Sequence, residues 1–131
     1  MTRFSKLAVA ALVGGVLAWG STAQAQGVTV DANLANQGKK LFSSRGCTTC
    51  HSIGKGKLAG PDLLGVTERR DLTWLKNWMK DPAGMLESDT LAQRLLAEAK
   101  GVKMPNVKLQ DREIDALIHY MAQESNKQKG S

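Results

Sequence analysis

Two thiols three residues apart, with an imidazole directly after the second, sit at Cys47-Thr48-Thr49-Cys50-His51. On a helical turn, positions i, i+3 and i+4 share one face, so the two sulfurs and the ring project together. A Cys-x-x-Cys alone is open to a redox dithiol, half a zinc site or a disulfide. His51 narrows the choice, because two such cysteines followed at once by histidine form the attachment sequence of a c-type haem. Both sulfurs then reach the vinyl groups of one porphyrin while the histidine nitrogen sits beneath the iron. A thioredoxin-like site needs βαβ patterning around it, and the flanking sequence has none.

The N-terminal stretch reads as a targeting segment outside the fold. Arg3 and Lys6 are a positive start, Leu7 to Trp19 an apolar run, and Ala23-Gln24-Ala25 a small-x-small cleavage site. The run is shorter than the roughly 18 residues of a membrane span. Residues 1–25 are therefore expected to be a signal peptide and 26–131 one domain, exported to the periplasm. An N-terminus retained as an anchor is the alternative. Export agrees with the motif, since bacteria attach haem covalently outside the cytoplasm. In an oxidising compartment, two thiols used as thioethers also escape pairing with each other.

The chain has only two Phe, one Tyr and three Trp, with Trp19 in the leader. A centrally placed porphyrin supplies the large apolar body that so modest a core lacks. The net charge of +6 falls by two when Arg3 and Lys6 leave. No dense Lys/Arg block suggests nucleic acid binding.

Periodicity predicts an all-α domain, with no alternation of period two. Gly27 to Asn33 reads as an extended lead-in and Leu34 to Ser44 as a first helix, interrupted by Gly46. Ser52 to Gly65 holds Gly54, Gly56, Gly60, Gly65 and Pro61 and reads as loop. Asp71 caps a helix to about Lys80, stopped by Asp81-Pro82, with Leu72, Leu75, Trp78 and Met79 on its apolar face. Ser88 or Asp89 caps the next helix, and Gly101 stands at its C′ position. Lys103 to Leu109 is loop. Asp111 opens a last helix with Ile114, Leu117, Ile118 and Met121 on one stripe. The polar tail from Asn126 is expected to fray.

An iron held by one histidine has either a sixth ligand or an open site, and that choice separates carrier from catalyst. Met79 and Met121 lie on apolar stripes, where methionine is usually core filler. Met85 follows Pro82 in a presumed turn and is a rival ligand. Met104 is the best placed, on a loop between two helices and stiffened by Pro105. His119 falls off the apolar stripe and reads as exposed.

These residues together resemble the class I, mitochondrial-type monohaem cytochromes c in their short bacterial form. The likeness rests on Gly38-Lys39-Lys40-Leu41-Phe42 ahead of Cys47 to His51, and on Gly60-Pro61-Asp62-Leu63. It continues in Asn77-Trp78-Met79-Lys80-Asp81-Pro82, Lys103-Met104-Pro105-Asn106 and Leu117-Ile118-His119-Tyr120. It implies a helical domain wrapped around one covalent haem c, with Cys47 and Cys50 as thioethers and His51 and Met104 as iron ligands. It also implies that the Pro61 carbonyl orients His51, that Trp78 lines the cavity, and that the last helix crosses the first at Gly38. The stretch from Pro61 to Pro82 is too short for the mitochondrial omega loop, and Pro82 to Met104 holds an additional helix. Arg69 or Arg70 is spaced to offer a guanidinium to a haem propionate, or is a solvated surface pair.

The function expected is that of a soluble periplasmic single-electron carrier, not an enzyme, and monomeric. Its partners are a protein donor and acceptor, met through a basic rim of Lys55, Lys57, Lys103 and Lys108 that suits acidic surfaces. Alternatives are an electron-transfer subunit of a periplasmic dehydrogenase or reductase, and an open-haem enzyme or sensor.

Overall fold

The computed structural model describes residues 27–131, so the expected signal peptide lies outside the described residues. Among these residues there are helices and loops and no strand. Helix α1 spans Ala32–Ser44. It begins earlier than expected because the Asp31 carboxylate accepts the Leu34 N–H, placing Ala32 and Asn33 inside the first turn. A 3₁₀ turn, Cys47–Thr49, follows, and then a short helix α2, Val66–Arg69.

Helix α3, Leu72–Lys80, is capped by Asp71 as expected. Its end differs from the expectation. Asp81 and Pro82 do stop α3, but Pro82 is also the first residue of another helix, α4, Pro82–Ser88. A proline at N1 loses no hydrogen bond and supplies a helical φ. Asp81 serves both helices, ending α3 and accepting the Gly84 N–H to begin α4. Met85 is therefore helical and not in a turn.

Helix α5, Thr90–Glu98, is capped by Asp89, and α6 runs over Asp111–Lys129. Gly101 is not the C′ residue of α5. Lys100 occupies that place with φ 52°, and Gly101 follows with φ 82°. The Lys100 and Gly101 N–H groups donate to the carbonyls of Ala97 and Leu96, the paired bonds of a Schellman motif. The tail expected to fray is helical to Lys129. Gln128 donates to the Ile53 carbonyl at 2.8 Å, and Lys129 pairs with Glu68.

The main helix crossing is α1 against α6. Ala35, Gly38 and Phe42 of α1 are buried against Ile114, Leu117, Ile118 and Met121 of α6. At Gly38 the backbones come so close that a Cβ would fall on the Ala116 carbonyl and 2.7 Å from Tyr120 Cβ. Phe42 and Tyr120 meet in a tilted pair, with centroids 5.5 Å apart. His119, expected to be exposed, is half-buried beside this crossing, where its Nδ1 accepts the Asp31 N–H at 3.0 Å.

Candidate haem site

Gly46 ends α1 in the left-handed region, at φ 76°, and lets the chain turn directly into Cys47. The Cys47 carbonyl then accepts from both Cys50 N–H at 3.2 Å and His51 N–H at 2.9 Å. That tight turn brings both sulfurs and the imidazole to the edge of one cavity of about 320 Å³. The two thiols are not joined to each other, and burial pushes the Cys47 thiol pKa up.

His51 is fixed by the loop that follows it. Its Nδ1 donates to the Pro61 carbonyl at 2.9 Å, as the family resemblance implies. Because a carbonyl can only accept, Nδ1 is the donor, and Nε2 is the ring nitrogen left to ligate. Gly60 packs against the ring: a Cβ there would stand 2.4 Å from Cε1 and 2.8 Å from Nδ1, so a larger residue would push the imidazole out of place.

The cavity wall is apolar, with Phe42, Leu75, Met79, Leu117 and Met121 from the core. Met104 reaches the same cavity from the loop before α6. That loop is anchored by Asn106, whose side chain donates to the Lys80 carbonyl at 3.3 Å and accepts the Lys108 N–H at 2.9 Å. Three methionines thus face the cavity, whereas Met85 on α4 does not line it. Met79 and Met121 are also buried in the core, as their stripes predict.

Trp78 lines the cavity, and Trp74, which sequence reasoning passed over, stacks on it with centroids 5.6 Å apart and planes 7° apart. The Trp74 ring N–H donates to Asp89 at 3.1 Å, joining the stack to the cap of α5. Its spacing of four from Trp78 was the available signal. Leu86 of α4 and Leu95 and Leu96 of α5 complete this wall, so the additional helices are part of the site.

Arg69 and Arg70 both line the cavity. The Arg69 guanidinium donates to the Asp62 carbonyl at 2.8 Å and to the Leu64 carbonyl, holding the haem loop. Burial, reinforced by Arg70, lowers its pKa against the opposing pull of Asp62. Lys57, expected on a free basic rim, donates to the Glu98 carbonyl at 2.6 Å and links the haem loop to the end of α5. Its charge remains at the rim, beside the half-exposed apolar residues Leu58 and Val102.

These residues fit a porphyrin. A largely apolar cavity is lined by two thiols, an oriented imidazole and, from a separate loop, a thioether. Among the described residues no cluster of three or more His, Cys, Asp or Glu is placed to hold a bare metal ion.

Comparison with known proteins gives the same answer. The family described as cytochrome c matches residues 35–125. A cytochrome c from Rhodothermus marinus is 33% identical, with 75% of this chain and 82% of that chain covered at a TM-score of 0.70. The cytochrome c domain of a Pseudomonas putida protein is 40% identical, covering 70% of this chain and 91% of that one, with a TM-score of 0.63. A curated relative, cytochrome c oxidase subunit 2 of Alkalihalophilus pseudofirmus, is 31% identical over 67 residues. That match takes in 44% of this chain and spans only 20% of the length of the relative. With the family pattern running from α1 into the late turns of α6, the chain belongs to the cytochrome c family, whose haem c is held through the Cys47 and Cys50 pair.

Proposed function

We propose that this cytochrome c is a periplasmic single-electron carrier with His51 and Met104 as the axial ligands of its haem. The observation that carries the reading is the convergence of His51 and Met104 on one apolar cavity from independent, hydrogen-bonded loops. The bound haem supplies a one-electron ferric–ferrous couple, and a methionine ligand raises its potential. The chain's own part is to hold the imidazole by Pro61, exclude water with the Trp78 and Leu75 wall, and keep both ligands in place across oxidation states. Such a closed coordination leaves no position for substrate, which favours a carrier over an enzyme. The leader-like residues 1–25 support the periplasmic location, and the rim lysines support acidic protein partners.

Met104→Ala tests the ligand set. It should abolish the ferric sulfur-to-iron absorption band, lower the potential and admit external ligands such as cyanide, while Met85→Ala leaves the band intact. A band that survives the Met104 change overturns the assignment.

A second reading has its own observation. The curated relative is a subunit of an oxidase, so a domain of this kind also serves within an electron-transfer complex. On that reading the chain is an electron-entry module bound to an oxidoreductase. It would co-purify with its enzyme from detergent-solubilised membranes, where a free carrier would appear alone and monomeric in the periplasmic fraction.

A further inference from the structure

The His51–Pro61 hydrogen bond joins two residues of a glycine-rich loop that has little intrinsic preference for any path. One side chain gathers that loop. The Asp62 Oδ1 accepts the backbone N–H groups of Gly54 and Leu64, both at 2.8 Å. Its Oδ2 accepts the Gly56 N–H at 2.6 Å and lies 3.3 Å from the Ser52 hydroxyl, which donates its proton to the Gly56 carbonyl at 2.5 Å. Gly54 and Gly56 stand in the left-handed region, at φ 80° and 92°, so both N–H groups turn inward to the carboxylate.

The sequence positions give this hub its meaning. Ser52 directly follows His51, and Asp62 directly follows Pro61. Through Gly56, whose N–H it accepts and whose carbonyl takes the Ser52 hydroxyl, the carboxylate ties the neighbour of the imidazole to the neighbour of its acceptor. Two backbone bonds, Gly60 N–H to Cys50 carbonyl and Leu63 N–H to Ser52 carbonyl, both 2.8 Å, flank the same junction. Arg69 then fixes the backbone carbonyl of Asp62 itself.

We propose that Asp62 is a positioning residue for His51: its carboxylate holds the Pro61 carbonyl against Nδ1 and so sets how strongly the imidazole donates to the iron. This rests on the reading of His51 as an axial ligand. A fixed acceptor on Nδ1–H makes the distal nitrogen more basic. A more basic ligand favours the more highly charged ferric state. A slackened loop shifts the balance toward ferrous and raises the midpoint potential.

The test compares Asp62→Ala with Asp62→Asn in the holoprotein. Asparagine loses the charge but keeps one oxygen, and with it the bonds to Gly54 and Leu64; alanine loses every bond. Two quantities are read: the midpoint potential, and solvent exchange of the hyperfine-shifted His51 Nδ1 proton by NMR. Asp62→Ala should move the ferric–ferrous equilibrium severalfold toward ferrous, a tenfold change being about 59 mV for one electron. The Nδ1 proton should exchange faster, with Asp62→Asn intermediate in both. A lowered Tm with potential and exchange unchanged makes Asp62 merely structural and overturns the proposal. Equal potential shifts in both variants with unchanged exchange reduce it to a charge effect and also overturn it. If Asp62→Ala yields no holoprotein, unchanged exchange in Asp62→Asn decides against it. If the wild-type protein lacks any hyperfine-shifted imidazole Nδ1 proton, the ligand assignment itself falls, and this proposal with it.

Discussion

Gly38→Ala should be costly although alanine is the better helix former. A Cβ at position 38 would meet the Ala116 carbonyl carbon at 2.6 Å and Tyr120 Cβ at 2.7 Å. That is about 1 Å inside the ordinary 3.5–4.0 Å separation of carbon atoms. The atoms met are backbone and Cβ, which no rotamer change can move. Overpacking of this kind costs about 1–3 kcal/mol, and the rigid neighbours place Gly38 at the upper end. Alanine returns about 1 kcal/mol of helix propensity. The balance is a loss of about 2 kcal/mol, which for a domain of this size lowers Tm by roughly 8–16 °C. Thermal melts followed by far-UV circular dichroism measure it, and an unchanged Soret spectrum at low temperature shows that the haem site persists. A Tm equal to or above that of the wild type would mean that α1 and α6 separate freely, and would refute the close-contact argument.

Lys100→Gly should do the opposite and stabilise by about 1 kcal/mol, because a residue with a Cβ now holds the left-handed C′ position; chemical denaturation reads the gain. Stability should fall in acid. Hydrogen bonds from Lys80 lower the Asp111 pKa, and those from the Gln110 N–H and Arg45 lower that of Glu113. At Asp62, the Gly54, Leu64 and Gly56 N–H groups and Ser52 outweigh the upward push of burial. Groups depressed on folding contribute fully above the ordinary carboxylate range, and that contribution is lost as pH falls through their lowered values. Asp62→Asn should therefore flatten the acid limb of a Tm-versus-pH curve. Electron transfer to an acidic redox partner should slow as ionic strength rises, since Lys55, Lys57, Lys103 and Lys108 are exposed; stopped-flow rates that are flat in salt would shift the contact to Leu58 and Val102.

What the sequence discloses depends on whether a feature is local. Cys47, Cys50 and His51 are legible because one turn of backbone brings them together, and Asp71 and Asp89 because a cap and its helix are adjacent. Pro82 was half legible: the same Asp-Pro pair that closes one helix can open another, and only the packing of α4 against α5 decides. Helix α2 escaped notice because four residues with three polar side chains carry no periodic signal. The last turns of α6 looked like a loose tail because their partners, Ile53 and Glu68, lie far back in the chain. In the site, the ligand candidates were readable from spacing and loop chemistry. The part of the wall that Leu86 and Leu95 add was not, since it exists only once α3, α4 and α5 have packed.

The bond from Gln128 to the Ile53 carbonyl lays the final turn of α6 alongside the haem loop. A tether grafted at Ser131 would thus emerge beside the haem loop. An electrode linker or a fused reductase attached there begins within a few residues of the haem loop and its proposed lysine rim, so a short connection gives a high effective concentration. One attached ahead of Asp31 starts instead from the α1–α6 crossing, where His119 holds the chain. For wiring this cytochrome to a surface or an enzyme, the two ends of the fold are not equivalent.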